Sequence, residues 1–343
     1  MSWTGPAGVA LALVLAFGLT RLALWWLAEK GLVDTPNVRS SHAAPTPRGG
    51  GLAVVVAIAA AWLWGVATSA LIVPEILIVL GLGLALAAVS FVDDLRGLPV
   101  LPRLVAQAAA VAVGLWALPT EALVFQGLLG PALDRVLAAL VWLWFVNLYN
   151  FMDGIDGIAG LETVAIGFGA FVVLVLAESR PDLAYVAPCL AAAALGFLWW
   201  NRHPARIFLG DVGSVPLGFW VGWLLLSLAA SGQWAAALLL PLYYLADATV
   251  TLARRLARGE PVWRAHVDHY YQRAARAFGR HDLVTRAILT ANLGLIALAI
   301  LSTVLSAQRL AWLIVGGAMT LALLWYLATR RPLATRPRSD HAA

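Results

Sequence analysis

Apolar segments of membrane-spanning length recur along this 343-residue chain and limit what it can fold into. A helix needs ~20 mostly apolar residues to cross a bilayer. Composition agrees, because 62% of the residues are hydrophobic and 12% are charged, whereas a soluble domain has about one half and one quarter. The sequence therefore predicts an all-α polytopic membrane protein. The expected transmembrane helices number about eleven and cover roughly residues 7–28, 51–70, 72–91, 103–118, 131–149, 159–177, 183–200, 213–231, 234–253, 287–306 and 310–328.

Basic residues are divided unequally between the two sides of this predicted bundle. Nineteen Lys and Arg residues fall in loops 29–50, 92–103, 201–212 and 254–286 and in the tail from 330, against Arg135, Arg180 and Arg309 in the opposite loops. Basic loops stay in the cytoplasm, which predicts an N-terminus outside and a C-terminus inside. We expect a bacterial inner (cytoplasmic) membrane protein with its polar chemistry on the cytoplasmic face. Residues 1–329 would form one integral membrane domain, followed by a disordered basic cytoplasmic tail at 330–343.

Two carboxylates and a carboxamide follow directly on the apolar run 136–146. Asn150, Asp153 and Asp156 are spaced three residues apart, which would place them on one face of a helix. Oxygen donors on one face suit a hard cation such as Mg2+ together with a phosphate-bearing substrate. Carboxylates beside membrane segments usually belong to such a site. The alternative is a helix end where Asp and Gly serve as caps and turn residues.

The motif PTPRGGG at 45–51 places Arg48 before three glycines at a predicted helix start. Glycine lets backbone N–H groups approach an anion closely, and a helix N-terminus favours negative charge. Arg48 and Gly49 are therefore candidates for binding a phosphate. The alternative is a basic interfacial loop.

The motif FVDDLRG at 91–97 places Asp93 and Asp94 side by side at a helix end. Adjacent carboxylates repel each other unless a positive charge lies nearby. A metal or a substrate cation would supply that charge, and so would Arg96 or Arg103.

Asp211 lies between two glycines in FLGDVGS at 208–214, at the entry to a predicted span. A carboxylate in that position can reach a metal, and the alternative is a helix N-cap. Asp247, inside a predicted span, would be either a wall of the site or the partner of an arginine.

The longest inner loop carries His266, His269 and Arg273. On a helical turn these side chains would share a face. His and Arg can bind phosphate, and His can also move protons near neutral pH. The alternative is an amphipathic basic loop that only contacts lipid.

In this order, the motifs at 45–51, 91–97, 150–160 (NFMDGIDGIAG) and 208–214 resemble the polyprenyl-phosphate N-acetylhexosamine-1-phosphate transferase family, glycosyltransferase family 4. The resemblance covers about residues 30–275 and includes the topology. Asp268 stands where many members have another histidine. That difference, together with RSSH at 39–42, favours members that start O-antigen-type glycans over the translocase of peptidoglycan synthesis.

The resemblance also implies roles for individual residues. It implies catalytic roles for Asp93, Asp94, Asp156, His266 and His269. It implies nucleotide binding by Asn150 and Asp153, while the motif chemistry given above predicts substrate binding by Arg48, Gly49 and Arg273. It implies that Asp211 and Asp94 bind Mg2+, with Mn2+ as the alternative.

The reaction that the resemblance implies transfers an N-acetylhexosamine 1-phosphate from a UDP-sugar to undecaprenyl phosphate or another polyprenyl phosphate. UMP is released, and a lipid-linked cell-surface glycan is begun. The expected partners are UDP-N-acetylhexosamine, undecaprenyl phosphate and membrane lipid, and a homodimer is one assembly that the sequence leaves open. No nucleic-acid partner is expected, because basic loops beside anionic lipid explain the net charge of +5.

Two other classes of membrane protein are alternatives. A transporter or flippase of a charged substrate would place its charges near mid-membrane and on both faces. A CDP-alcohol phosphotransferase would have Ala-Arg soon after its first Asp-Gly, whereas no arginine follows Asp153-Gly154 until Arg180.

Overall fold

The computed structural model describes residues 4–30, 33–34, 45–68, 74–118, 122–261 and 266–329. Helices make up 82% of the structure, which confirms the all-α class. The motif at 39–42 and the tail at 330–343 lie outside the described residues. Strands β1 (Val33–Asp34) and β2 (Thr46–Pro47) pair antiparallel between the first two helices. The helices are α1 (Thr4–Lys30), α2 (Gly51–Ala67), α3 (Pro74–Arg96), α4 (Val100–Ala117), α5 (Pro131–Phe151), α6 (Ile158–Leu176), α7 (Pro181–Asn201), α8 (Asp211–Leu228), α9 (Trp234–Leu239), α10 (Leu242–Ala257), α11 (Tyr270–Phe278), α12 (His281–Val304) and α13 (Arg309–Thr329).

Nine helical segments in the described part of the chain are long and apolar enough to span a membrane, and α2 is a shorter apolar helix. One of the nine, Asp211–Leu239, contains α8 and α9 and is kinked between them, where Gly232 has a non-helical φ of 87°. The predicted span at 234–253 is not one continuous helix, because α9 ends at Leu239 and α10 begins after Pro241, and its crossing of the membrane remains a prediction. Proline lacks an N–H group and clashes with the preceding turn. The chain is a multi-pass membrane protein, whereas the total of eleven spans and their orientation remain predictions.

Helix α8 forms the centre of the bundle, and its residues from Val212 to Leu228 are buried. Its sequence is apolar on every side, as expected of a helix surrounded by others. Helices α3 and α5 pack against it. The indole N–H of Trp220 donates to a carbonyl of α3 at 3.0 Å, and that of Trp142, from α5, donates to a carbonyl of α8 at 2.9 Å. These bonds satisfy polar groups that have no water nearby.

The polar motifs meet at one end of the bundle. Helices α3, α5 and α7 finish there, and α4, α6 and α8 begin there. The segment that contains β2 reaches the same end, because the Phe208 N–H donates to the Pro47 carbonyl at 2.8 Å. The alternation of spans along the chain therefore brings sequence-distant loops to one surface.

Buried carboxylates hold the opposite end of the bundle together. Asp134 accepts hydrogen bonds from two backbone N–H groups of the loop before α5, at 3.0 and 2.8 Å. Glu75 accepts one from the Trp223 indole at 3.1 Å and lies 3.5 Å from Arg180, which also pairs with Asp182 at 2.7 Å. These contacts tie the loops at this end to α3, α5 and α8.

Candidate active site

Residues 47–51 lie along residues 208–213 at the polar end. The amides of the three glycines donate to backbone carbonyls of that partner segment at 2.9 to 3.2 Å. A Cβ on Gly51 would lie 2.3 Å from the Cα of Gly213, so no larger residue fits this approach. The prediction that the Gly49 amide binds a phosphate is wrong for this geometry, because backbone carbonyls of Phe208 and Leu209 already accept the N–H groups of the three glycines. The glycines instead fix the position of Arg48.

Three carboxylates and two guanidinium groups form a continuous chain beside this junction. Arg48 lies 2.9 Å from Asp94 and 2.7 Å from Asp211. Arg103 lies 2.6 Å from Asp93 and 3.5 Å from Asp211. Asp211 therefore links both arginines, and the two adjacent carboxylates of the FVDDLRG motif have different cationic partners. We call these five residues the Asp–Arg cluster.

Asp211 is the first residue of α8, where the N-terminal end of the helix favours negative charge. The cap position belongs to Gly210, whose φ of 75° suits glycine. The N-cap alternative for Asp211 is therefore not observed. The Val212 amide also donates to Asp94 at 3.1 Å, so the start of α8 holds both carboxylates in place.

Asp153 lies beside the cluster, half-buried, in the loop between α5 and α6. No described residue hydrogen-bonds to or forms an ion pair with its carboxylate. Burial raises its pKa, Arg48 opposes the rise, and Asp211 and Asp156 add to it, which brings the pKa to about 7. Such a carboxyl exchanges a proton near neutral pH.

The loop that carries Asp153 does not continue α5. The sequence predicted one helical face for Asn150, Asp153 and Asp156, and this prediction is wrong because α5 ends at Phe151 and Gly157 has a φ of 81°. Asn150 remains on the helix and donates to the Ser214 hydroxyl at 2.7 Å. Asp153 lies beside the Asp–Arg cluster, whereas Asp156 has other partners.

Asp156 contacts two histidines from distant parts of the chain. Its Oδ2 lies 2.7 Å from Nδ1 of His203 and accepts the Ala205 N–H at 3.1 Å, and its Oδ1 lies 3.2 Å from Nδ1 of His281. Burial alone would raise the pKa of Asp156, but a hydrogen bond and charge from His281, together with hydrogen bonds from His203 and the Ala205 amide, lower it below its ordinary value. Sequence reasoning missed both histidines as site residues, because no spacing pattern connects positions 156, 203 and 281.

The histidines of the longest inner loop are arranged differently from the prediction. Helix α11 begins only at Tyr270, and His269 precedes it with an extended backbone. The predicted helical face shared by His266, His269 and Arg273 is therefore wrong. The two imidazoles stack instead, with ring centroids 4.9 Å apart. Burial, His269 and Arg255 lower the pKa of His266 to about 4, which keeps this imidazole neutral.

Asp247 fixes this segment from α10. Its carboxylate, wholly buried, accepts the backbone N–H groups of Tyr270 and Tyr271 at 3.0 and 3.1 Å and lies 3.2 Å from Nδ1 of His269. It also accepts the hydroxyls of Tyr243 and Thr251. A carboxylate that accepts the first amides of a helix stabilises its start, which explains why α11 begins there. Of the two roles left open for Asp247, the described contacts match the site wall.

Tyr271 connects this segment to the Asp153 loop. Its hydroxyl donates to the Phe151 carbonyl at 2.9 Å. A Cβ on Gly154 would lie 2.3 Å from the same hydroxyl, so the two segments are in close contact. The histidine segment and Asp153 thus lie at one site.

Arg273 is exposed and faces away from this contact. It lines a cavity of about 190 Å³ together with Arg254, Arg255 and Arg258. Arg255 is ion-paired with Asp268 and, at 2.9 Å, with Glu260. Asp268, at the position where the family pattern often has histidine, therefore holds an arginine in this chain.

Two apolar grooves lead to the Asp–Arg cluster. One, of about 430 Å³, lies between α3, α4, α5, α8 and α10 and ends at Asp93, Arg103, Asn150 and Asp211. We call it the α3–α5 groove. The other, of about 700 Å³, lies between α1, α2 and α3 and ends at Arg48 and Asp94. Apolar chains can therefore approach the charged cluster from within the bundle.

Comparison with known proteins identifies relatives of the chain. Residues 76–229 match the family described as glycosyl transferase family 4. The chain is 33% identical over 258 residues to the decaprenyl-phosphate N-acetylglucosaminephosphotransferase of Mycolicibacterium smegmatis, covering 65% of this chain and 61% of the relative. It is 32% identical over 272 residues to the protein of the same name from Mycobacterium tuberculosis, covering 69% and 63%. The chain therefore spans about three fifths of the length of these mycobacterial relatives.

A second group of relatives has a different name. The phospho-N-acetylmuramoyl-pentapeptide-transferase of Saccharopolyspora erythraea is 32% identical over 262 residues, which cover 62% of this chain and 72% of the relative. Both groups are named as transferases, and the family match at 76–229 includes three of the four motifs, at 91–97, 150–160 and 208–214. The chain belongs to the polyprenyl-phosphate hexosamine-1-phosphate transferase family.

Proposed function

We propose that this protein transfers an N-acetylhexosamine 1-phosphate from a UDP-sugar to a polyprenyl phosphate, with undecaprenyl phosphate as the acceptor. The observation that carries the proposal is the Asp–Arg cluster at the end of the α3–α5 groove. An apolar groove that ends at charged groups suits a lipid with an anionic head group. The name of the mycobacterial relatives, which contains decaprenyl phosphate, supports the same class of acceptor.

The donor set of the cluster fits a divalent cation. Asp93, Asp94, Asp211 and the adjacent Asp153 supply only oxygen ligands, which Mg2+ prefers. These four carboxylates face two guanidinium groups, so negative charge is in excess. Asp211 and Asp94 are the residues that would hold Mg2+, or Mn2+ in its place. When bound, the cation would neutralise the diphosphate of the donor and polarise the phosphorus that is attacked.

Arg48 and Arg103 bring positive charge to a reaction between two anions. Each guanidinium is fixed by carboxylates of the cluster, at 2.6 to 3.5 Å. Guanidinium groups bind phosphate oxygens through charge-assisted hydrogen bonds. We assign Arg103 to the acceptor phosphate, because it lines the α3–α5 groove, and Arg48 to the donor diphosphate on the other side of Asp211.

Proton transfer from the acceptor needs a base near the groove. Asp93 lines the groove and is held by the Leu98 amide at 2.7 Å and by Arg103. It is our candidate for taking the proton of a singly charged polyprenyl phosphate, as the family resemblance implies. With a pKa of about 7, Asp153 can hold a proton nearby. Loss of the proton strengthens the phosphate oxygen as a nucleophile.

The remaining predicted residues would position the donor. Asn150 and Asp153 border the cluster, and His269 and His266 are held next to the Asp153 loop through Asp247 and Tyr271. The neutral imidazole of His266 can donate one hydrogen bond and accept another. We propose that this segment closes over the UDP part of the donor, on the cytoplasmic face of a bacterial inner membrane.

The product would be a polyprenyl-diphospho-sugar that begins a lipid-linked cell-surface glycan. Relatives named for two different sugars match the chain, so the O-antigen type of pathway rests on the sequence prediction at Asp268. The test is release of UMP by the purified protein with undecaprenyl phosphate, Mg2+ and a panel of UDP-sugars. We expect release with one UDP-N-acetylhexosamine, loss of release with EDTA and recovery with Mg2+ or Mn2+. Absence of release with every sugar would contradict the proposal, and vectorial movement of a solute without release would indicate a transporter.

A further inference from the structure

The side chains of Asp156, His203 and His281 converge although their positions in the sequence are far apart. The ligand-type atoms of these three residues all lie within 4.8 Å of one another. Asp156 Oδ2 is 2.7 Å from Nδ1 of His203, Asp156 Oδ1 is 3.2 Å from Nδ1 of His281, and the two imidazole centroids are 5.2 Å apart. Among the described residues, no other three His, Cys, Asp or Glu side chains bring their ligand-type atoms together this closely.

We propose that Asp156, His203 and His281 bind a first-row transition-metal ion of the Zn2+ class, at a site separate from the Asp–Arg cluster. Two imidazoles and one carboxylate are a donor set typical of zinc. Zinc–ligand bonds of 2.0 to 2.2 Å place neighbouring ligand atoms roughly 3 to 3.5 Å apart. The two separations from Asp156 to the histidines, 2.7 and 3.2 Å, are close to that range, and all three ligand-type atoms lie within 4.8 Å of one another.

The donor atoms distinguish this site from the proposed magnesium site. The Asp–Arg cluster contains only oxygen donors and two guanidinium groups, whereas Asp156 is surrounded by imidazole nitrogen and has no arginine partner among the described residues. Imidazole suits zinc and its neighbours, and carboxylate oxygen suits magnesium. The two sites would therefore select different ions from the same solution.

The position of the site allows an ion to enter and leaves one coordination position open. Asp156 and His281 are buried, but the His203 side chain is 30% exposed. Three protein ligands with an open side are the arrangement of zinc sites that also bind water or a ligand. Asp156 already accepts the Ala205 amide, a supporting bond that orients its carboxylate.

A metal at this site would connect three segments that lie next to the proposed binding site of the UDP-sugar. Asp156 belongs to the Asp153 loop, His203 to the segment between α7 and α8, and His281 is the first residue of α12. The three contacts would fix the loop that carries Asp153. The inference does not depend on the proposed transfer reaction, because metal binding can be measured without turnover.

The test uses the full-length chain, purified in detergent through a tag that contains no histidine. The protein is stripped with EDTA, loaded with Zn2+ or Co2+, dialysed and analysed for metal content. We expect about one ion per chain and a visible Co2+ spectrum characteristic of four-coordinate geometry. The variants His203→Asn and His281→Asn should each lower the affinity for Zn2+ by more than the ~10- to 100-fold that loss of a supporting residue costs.

Matched controls separate this site from the other polar groups. His266→Asn removes an imidazole outside the trio, and Asp211→Asn removes a carboxylate of the Asp–Arg cluster, so neither should change Zn2+ retention. If His281→Asn does not fold, His203→Asn decides, because its side chain lies at the surface. Zn2+ should also raise the unfolding temperature of the unmodified protein but not that of His203→Asn. Equal Zn2+ retention in all variants, or no retention in the unmodified protein, would mean that Asp156 is held by hydrogen bonds alone and would overturn the proposal.

Discussion

Asp247→Asn tests whether the histidine segment must be held in place for activity. The carboxylate of Asp247 accepts two backbone N–H groups at the start of α11, two hydroxyls, and a contact from His269. Asparagine has nearly the same shape but replaces one oxygen with an N–H2 group. If the asparagine side-chain oxygen takes the position of Oδ1, its N–H2 group takes the position of Oδ2. The backbone N–H of Tyr271 would then face another donor. At least one hydrogen bond is therefore lost, and the others lose their ionic character.

The magnitude follows from the number and type of these bonds. A hydrogen bond to a charged group contributes ~1.5–3 kcal/mol and a neutral one ~0.5–1.5 kcal/mol. Losing one of these bonds and weakening the other four would cost more than a single charged hydrogen bond. Part of this cost is offset, because asparagine is less costly to bury than a carboxylate. We expect a net loss of about 2–3 kcal/mol in the docking of the histidine segment. If that loss appears in kcat/KM, the ratio falls by roughly 30- to 150-fold.

The assay is UMP release, measured alongside the unfolding temperature. Asp134→Asn is the matched control, because Asp134 is also a fully buried carboxylate that accepts two backbone amides, but at the opposite end of the bundle. Both variants should lower the unfolding temperature, and only Asp247→Asn should lower kcat/KM of the remaining folded protein. Equal activity in the two variants would refute the view that Asp247 positions the site.

Four further predictions concern the charged groups and the orientation. Asp211→Asn should lower UMP release by at least ~100-fold at every Mg2+ concentration while the protein still inserts, and near-normal release would mean that this carboxylate is no ligand. The pKa of Asp153 is about 7 in the folded protein against an ordinary 3.8, so the folded state loses stability as pH rises through that interval; Asp153→Asn should raise the unfolding temperature more at pH 8 than at pH 5. His266→Ala should reduce kcat/KM by ~10- to 100-fold and Arg258→Ala should not, whereas equally small effects would indicate a lipid contact. Leu98→Cys should resist an impermeant thiol reagent added outside intact cells, with the buried native cysteine as background, and labelling would reverse the predicted orientation.

The convergence of the main motifs could be predicted from the sequence. Asp94 lies at the end of one apolar span, and Asp211 lies at the start of another. Two loops that are separated by an even number of membrane crossings lie at the same end of the bundle. The observed contacts of Arg48 with both carboxylates confirm that these motifs meet. Arg103, which the sequence offered as an alternative partner to a metal, does pair with Asp93.

Local backbone geometry was harder to predict. The three-residue spacing of Asp153 and Asp156 fits a helix as well as a loop, and the end of α5 at Phe151 together with the positive φ of Gly157 decides for the loop. The start of α11 depends on Asp247, which lies 23 residues before Tyr270 in the chain. A periodicity argument about His266 and His269 contains no information on so distant a carboxylate.

The Asp156 cluster could not be predicted, because its residues come from three segments without a common motif. His203 lies 47 residues after Asp156, and His281 lies 125 residues after it. Only the packing of α12 against α6 brings His281 to the loop. A lone histidine at a helix start carries no signal of such a contact.

The two carboxylates of the Asp153 loop therefore have opposite environments within four residues. Asp156 is fixed by His203, His281 and a backbone amide, which together hold its pKa below the ordinary value. Asp153 has no such partner among the described residues, and burial beside other carboxylates raises its pKa. A half-buried carboxylate without a partner destabilises the free protein, and a cation or a donor group bound at that position would relieve the cost. Because Asp156 anchors the loop, we expect Asp153 to stay beside Arg48 and Asp211 in the free protein, where a ligand that binds there would lower this cost.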